Sequence, residues 1–89
     1  MNLLENTIRE KKELYKLAVK YFQNINPDEY ENITFDDLAA KSISILIDHD
    51  FIPTPCIEIR LELLRNQKRV ATYFVYVNEN REFIDEFLT

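Results

Sequence analysis

The stretch IEIRLELL, residues 57–64, decides the fold: Ile57, Ile59, Leu61 and Leu63 alternate with Glu58, Arg60 and Glu62. Successive side chains of an extended strand point to opposite faces, so this period of two describes a strand with one dry face and one wet face. Downstream, Arg65–Lys68 reads as a turn and Arg69–Val77, rich in aromatic and β-branched residues, as a second strand. Asn78–Arg81 makes a second turn and Glu82–Leu88 a third strand, giving a three-stranded antiparallel meander. A short turn at 65–68 sets Ile57, Ile59, Leu61 and Leu63 opposite Tyr76, Phe74, Thr72 and Val70 as one apolar face. The other face then mixes Ala71, Tyr73, Val75, Val77, Ile84 and Leu88 with Glu58, Arg60, Glu62 and Glu86. An exposed apolar patch with a charged rim has the character of an interface.

Upstream of the strands the period lengthens. From Leu3 to Ile25, the positions Leu4, Ile8, Tyr15, Ala18, Phe22 and Ile25 recur every three or four residues, which predicts one long amphipathic helix ending near Asn24, ahead of Pro27. Thr34 is placed to cap a second helix whose first turn holds Asp36 and Asp37, where the helix dipole favours negative charge. Phe35, Leu38, Ala39, Ser42, Ile43 and Leu46 keep helical spacing, while Ile43, Ile45 and Ile47 alternate and are β-branched, a pattern that also suits an extended segment. Pro53 and Pro55 close this element. The expected fold is α+β, one domain over residues 1–89, with two N-terminal helices on one face of the three-stranded meander in the order ααβββ.

With 89 residues, 46% of them apolar and 30% charged, the chain can hold one core. A core this small supplies only ~3–5 kcal/mol, so a homodimer or tight partner would add to stability. A single cysteine rules out an internal disulfide, and the N-terminus has neither a signal-peptide core nor a membrane span, so a cytoplasmic location is expected. The net charge is −5, and the segment Asp28–Asp50 carries seven acids against Lys41, a local net of −6. Proteins that hold phosphate backbones show the opposite balance, so nucleic acid is not the expected partner. There is no glycine, which excludes the usual phosphate loops, nucleophile elbows and dinucleotide turns and leaves positive-φ turn positions to residues such as Asn66, Asn78 and Asn80.

Other constellations have ordinary readings. His49 between Asp48 and Asp50 has metal-ligand chemistry, but three consecutive residues do not converge on one ion. Cys56 reads as a buried small hydrophobe, without the base and orienting group a nucleophile needs. Paired carboxylates for glycoside chemistry require a sugar-sized cleft that a core of this length hardly holds. Arg9, Lys11, Lys12, Lys16 and Lys20 make a basic helix face, interleaved with Glu10 and Glu13 at pairing distance. Two helices and a hairpin are similar to a winged helix, yet a recognition helix is basic and this second helix opens with Asp36 and Asp37. The expected protein is therefore not an enzyme and uses no cofactor or metal.

The stretch from Ile57 to Leu88, which runs LELLRNQKRVATYFVYVNENREFIDEFL from Leu61, resembles the closing meander of small acidic immunity proteins that neutralise bacterial toxins, including those of contact-dependent growth inhibition systems. The resemblance covers about a third of the chain, and Arg81 stands where a glycine often completes the turn. It implies a cytosolic inhibitor that occupies the active site, or a neighbouring surface, of a toxin domain. Nucleic-acid-cutting effectors are basic where they hold substrate, and an acidic partner gains association rate and specificity against them. The residues expected to contact such a protein partner are Asp28, Glu29, Tyr30, Glu31, Asp36, Asp37, Asp48, Asp50 and Phe51, with Tyr30 or Phe51 as the apolar anchor. The alternatives are a homodimeric structural or regulatory subunit and a small nucleic-acid-binding protein.

Overall fold

The computed structural model describes residues 2–30 and 32–89. The N-terminal amphipathic stretch forms two helices, α1 (Leu3–Arg9) and α2 (Lys11–Gln23), rather than the single one its period predicts. The hydroxyl of Thr7 donates to the Leu3 carbonyl at 2.7 Å, a back-bond that bends helices, and the axis breaks at Glu10, whose φ and ψ are −105° and 22°. Asn2 caps α1 by accepting from the Glu5 N–H at 2.8 Å. The chain leaves α2 at Asn24 and makes a 3-10 turn over Pro27–Tyr30.

The largest correction falls on the expected second helix: residues Asp37–Leu46 are a strand, β1, so the sheet has four strands and not three. The β-branched alternation of Ile43 and Ile45 outweighs the helical spacing, because both side chains then lie on the dry face opposite Ile59 and Ile57. β2 (Cys56–Arg65), β3 (Lys68–Val77) and β4 (Phe83–Leu88) follow as an antiparallel meander, in spatial order β1-β2-β3-β4. The Thr54–Pro55 bond in the loop before β2 is cis. The class is α+β, and both helices are N-terminal.

The register of β2 and β3 is also shifted by one residue from the expected one. Asn66 and Gln67, with φ of 52° and 67°, make a two-residue turn of the type that suits a right-twisted hairpin. Leu64 pairs with Arg69, but Leu63 pairs with Ala71, so Val70 is an extra, bulged residue. The slip moves every later side chain of β3 to the opposite face. Ala71, Tyr73, Val75 and Val77 consequently join Ile57, Ile59, Leu61 and Leu63 beneath α2, where Leu14, Ala18, Phe22 and Ile25 complete the core. Tyr73 and Val75, expected on an exposed face, are fully buried. Thr72, Phe74 and Tyr76 share the helix-free face with Glu58, Arg60 and Glu62.

Positive φ falls at Asn66, Gln67 and Arg81, not at Asn78 or Asn80. Asn78 shapes the second turn differently, its side-chain oxygen accepting the N–H groups of Asn80 at 2.8 Å and Glu82 at 3.0 Å. Arg81, with φ of 69°, is tied to the helices: its guanidinium pairs with Glu10 at the helix break, and its carbonyl accepts from the Tyr21 hydroxyl at 3.4 Å. The contacts of Arg81 account for a non-glycine residue in a conformation that costs most side chains ~1 kcal/mol.

Candidate functional site

The acidic segment expected to form one surface is divided by β1. Asp36 and Asp37 precede or open the strand, whereas Asp48 and Asp50 follow its end. Ten residues at about 3.3 Å each separate the two groups by roughly 30 Å. Asp36 has a structural task, accepting the Asn66 N–H of the hairpin turn at 3.1 Å while its own N–H donates to the Leu64 carbonyl. Asp37 accepts the neighbouring Leu38 N–H at 2.8 Å. Asp28 is exposed on the 3-10 turn, and Glu31 and the side chain of Glu29 lie outside the described residues.

Tyr30 is not a free anchor. Its ring is half-buried, stacked on Phe22 at 5.4 Å and edge-on to Phe35 at 6.0 Å, so it closes the end of the core. Phe51 is the opposite case, 90% exposed, and nearby Ile47 is 83% exposed. The turn that presents them is built by His49, whose Nδ1 accepts the N–H groups of Phe51 at 3.0 Å and Ile52 at 3.2 Å. Ile52, buried with Cys56 and Tyr76 in a small second core, pins the loop to the sheet. Asp48 and Asp50 flank the turn, exposed, and neither pairs with a cation among the described residues.

Beside this tip lies the helix-free face of the sheet. The Glu58 carboxylate is 6% exposed and accepts from Arg60 Nε at 2.7 Å and from the Tyr76 hydroxyl at 2.8 Å. A buried carboxylate needs such partners to offset its lost hydration. The Arg60 guanidinium stands 5.0 Å over the Phe74 ring, and Tyr76 meets Phe87 edge-on at 5.7 Å. Sequence reading missed this cluster, because only the bulge at Val70 brings Phe74 and Tyr76 to the face of Glu58 and Arg60.

No group of three or more His, Cys, Asp or Glu side chains is placed to hold a metal ion among the described residues. The Cys56 thiol is fully buried, and burial, followed by the nearby Glu58 charge, raises its pKa. A neutral, shielded thiol is a poor nucleophile. On the basic helix face, Lys16 pairs with Glu13 at 3.6 Å in an exposed, weak contact. No helix among the described residues is long and apolar enough to cross a membrane.

Two phenols carry a testable pH dependence. Burial first, then a hydrogen bond to Glu86 for Tyr73 and to Glu58 for Tyr76, holds both hydroxyls protonated well above the ordinary tyrosine range. Unfolded tyrosine ionises near pH ~10. The stability from these phenols is intact below that value and is lost as pH rises toward the folded-state pKa. In an alkaline titration followed by tyrosinate absorbance and circular dichroism, ionisation of two of the five tyrosines is expected to coincide with loss of native signal. Titration of all five with the native spectrum intact would contradict this.

No family model matches the chain, and no curated protein or solved structure matches it either.

Proposed function

We propose that the chain is an immunity-type inhibitor that binds a basic effector domain, with the turn of residues 47–51 as its principal contact. The observation that carries this reading is the tip itself: two large apolar side chains, Ile47 and Phe51, stand almost wholly in solvent beside Asp48 and Asp50 on a turn fixed by His49. Interface energy concentrates in aromatic residues encircled by polar ones, and a rigid turn loses little entropy when it docks. The carboxylates steer a basic partner, and the ring holds it. Cytoplasmic action and the absence of catalysis belong to the same proposal.

The test uses the purified chain and the product of the gene upstream of its own. Replacing Asp48 and Asp50 by Asn is expected to slow association and flatten its salt dependence. Phe51→Ala is expected to act on dissociation, by ~2 kcal/mol or roughly 30-fold. An effector that does not bind, or one whose rates are unchanged in both variants, overturns the proposal.

A further inference from the structure

The two edges of the sheet are protected very differently. β4 is six residues long and carries Asp85 and Glu86 at its centre, the usual defence against strand-to-strand association. β1 has ten residues and a single lysine, Lys41, at the irregularity between Ala40 and Ser42. Beyond Lys41, the run Ser42–Ile47 has no charge at all. Next to it, a groove of about 430 Å³ between β1 and the helices is lined by Leu4, Ile8, Lys11, Tyr15, Ile43 and Ile45. Leu4 and Ile8 are 57% and 66% exposed, although they lie on an apolar helix stripe. An edge without charge from Ser42 to Ile47, beside an open apolar groove, is a surface built to be covered.

We infer that the occupant is a second copy of this chain, paired antiparallel through β1 about a two-fold axis at Ser44. The sequence there is self-complementary. With Ser44 opposite its own copy, Ser42 meets Leu46 and Ile43 meets Ile45, so Ile43 and Ile45 of both copies join on the helix side of one eight-stranded sheet, and the two grooves merge. The same axis directs the turn that leaves β1 after Leu46, with Asp48 two residues beyond the strand end, toward Ala40 and Lys41 of the other copy. Within one chain Lys41 lies on β1 and Asp48 on the turn beyond its end, and the two form no ion pair among the described residues, so the pairing exists only between copies. Charge also selects the occupant. The one basic residue on this edge is Lys41, which suits Asp48 of a second copy and not a basic effector. The pairing draws in Ile47 and Asp48 at the strand end and leaves Asp50 and Phe51, whose loop is pinned on the helix-free side by Ile52, to the effector.

Sedimentation across a concentration series tests the pairing without any effector, so its failure is distinguishable from failure of the inhibitor reading. A reversible monomer–dimer equilibrium is expected, with half-association below on the order of 100 µM. Lys41→Glu and Asp48→Lys should each weaken it about tenfold by setting like charges together, and the double variant should recover. Ser44→Cys places two thiols across the axis, at the ~5 Å Cα separation a disulfide accepts, so mild oxidation should link the dimer while buried Cys56 stays silent. A chain that stays monomeric throughout the series overturns the inference, and so does a dimer that neither responds to the charge variants nor cross-links through Ser44→Cys.

Discussion

A variant lacking Val70 is expected to fold and to melt within a few degrees of the parent, whereas a variant lacking Arg60 is expected not to fold. Val70 is the residue by which β3 exceeds β2 between the pairs Leu64–Arg69 and Leu63–Ala71, and its side chain is 44% exposed. Without it Ala71 follows Arg69 directly, every later pair is preserved, and the loss is one local twist and a partly exposed valine, about 1 kcal/mol. Arg60 sits in the middle of β2, which pairs with β1 on one side and β3 on the other. Removing it slides half of the strand by one position. Either Ile57 and Ile59 or Leu61 and Leu63 then turn out of the core, at ~1.5–3 kcal/mol each, and a glutamate turns in. The sum exceeds the ~5 kcal/mol that holds a domain of this size together. Thermal melts of the two deletions, followed by circular dichroism, decide the matter; equal damage from both would refute the assigned register.

Phe22→Ala is expected to remove about 4 kcal/mol, most or all of the folding free energy. Phe22 is 3% exposed and lies at the junction of three parts of the molecule, with ring centroids 5.2 Å from Tyr73 on β3, 5.4 Å from Tyr30 on the 3-10 turn and 5.7 Å from Phe35 before β1. Truncation opens a cavity among rings that are fixed by the sheet on one side and by the 3-10 turn on the other, so little collapse can fill it. Tyr30→Ala removes only the outer ring of the group and is expected to cost about 1–2 kcal/mol. Urea midpoints measure both. A Tyr30→Ala variant of parental stability that no longer binds the effector would return Tyr30 to the role of anchor.

The parts of the fold legible in the sequence are those where side-chain period and propensity agree. In β2 the strict alternation from Ile57 to Leu63 leaves one reading, and α2 ends at Gln23, one residue from its expected end. β1 was illegible because Phe35, Leu38, Ser42 and Leu46 suit a helix as well as Ile43 and Ile45 suit a strand, and pairing with β2 supplies the deciding energy from residues far away in the chain. The β2–β3 register was hidden for another reason: no residue type marks Val70 as a bulge, so counting back from the turn puts every face of β3 on the wrong side. The site suffered from both. With 37–46 taken as a helix, acids at its two ends belong to one region; as a strand it holds them apart, and only the Phe51 end keeps the form expected of an anchor among carboxylates.

The absence of glycine has a consequence for the disordered chain. At ordinary usage of ~7%, a sequence of this length would carry about six glycines, each widening the unfolded ensemble by an amount worth roughly 0.4–1 kcal/mol relative to alanine. Omitting them narrows the unfolded ensemble by roughly 2–6 kcal/mol in total. Against this stand the left-handed residues Asn66, Gln67 and Arg81, at ~1 kcal/mol each. The difference leaves at most about 3 kcal/mol in favour of the native state, still a sizeable part of the ~5 kcal/mol that holds a small domain together. Part of what keeps this protein folded is therefore a restriction on the states it leaves behind, and no contact in the native structure records it.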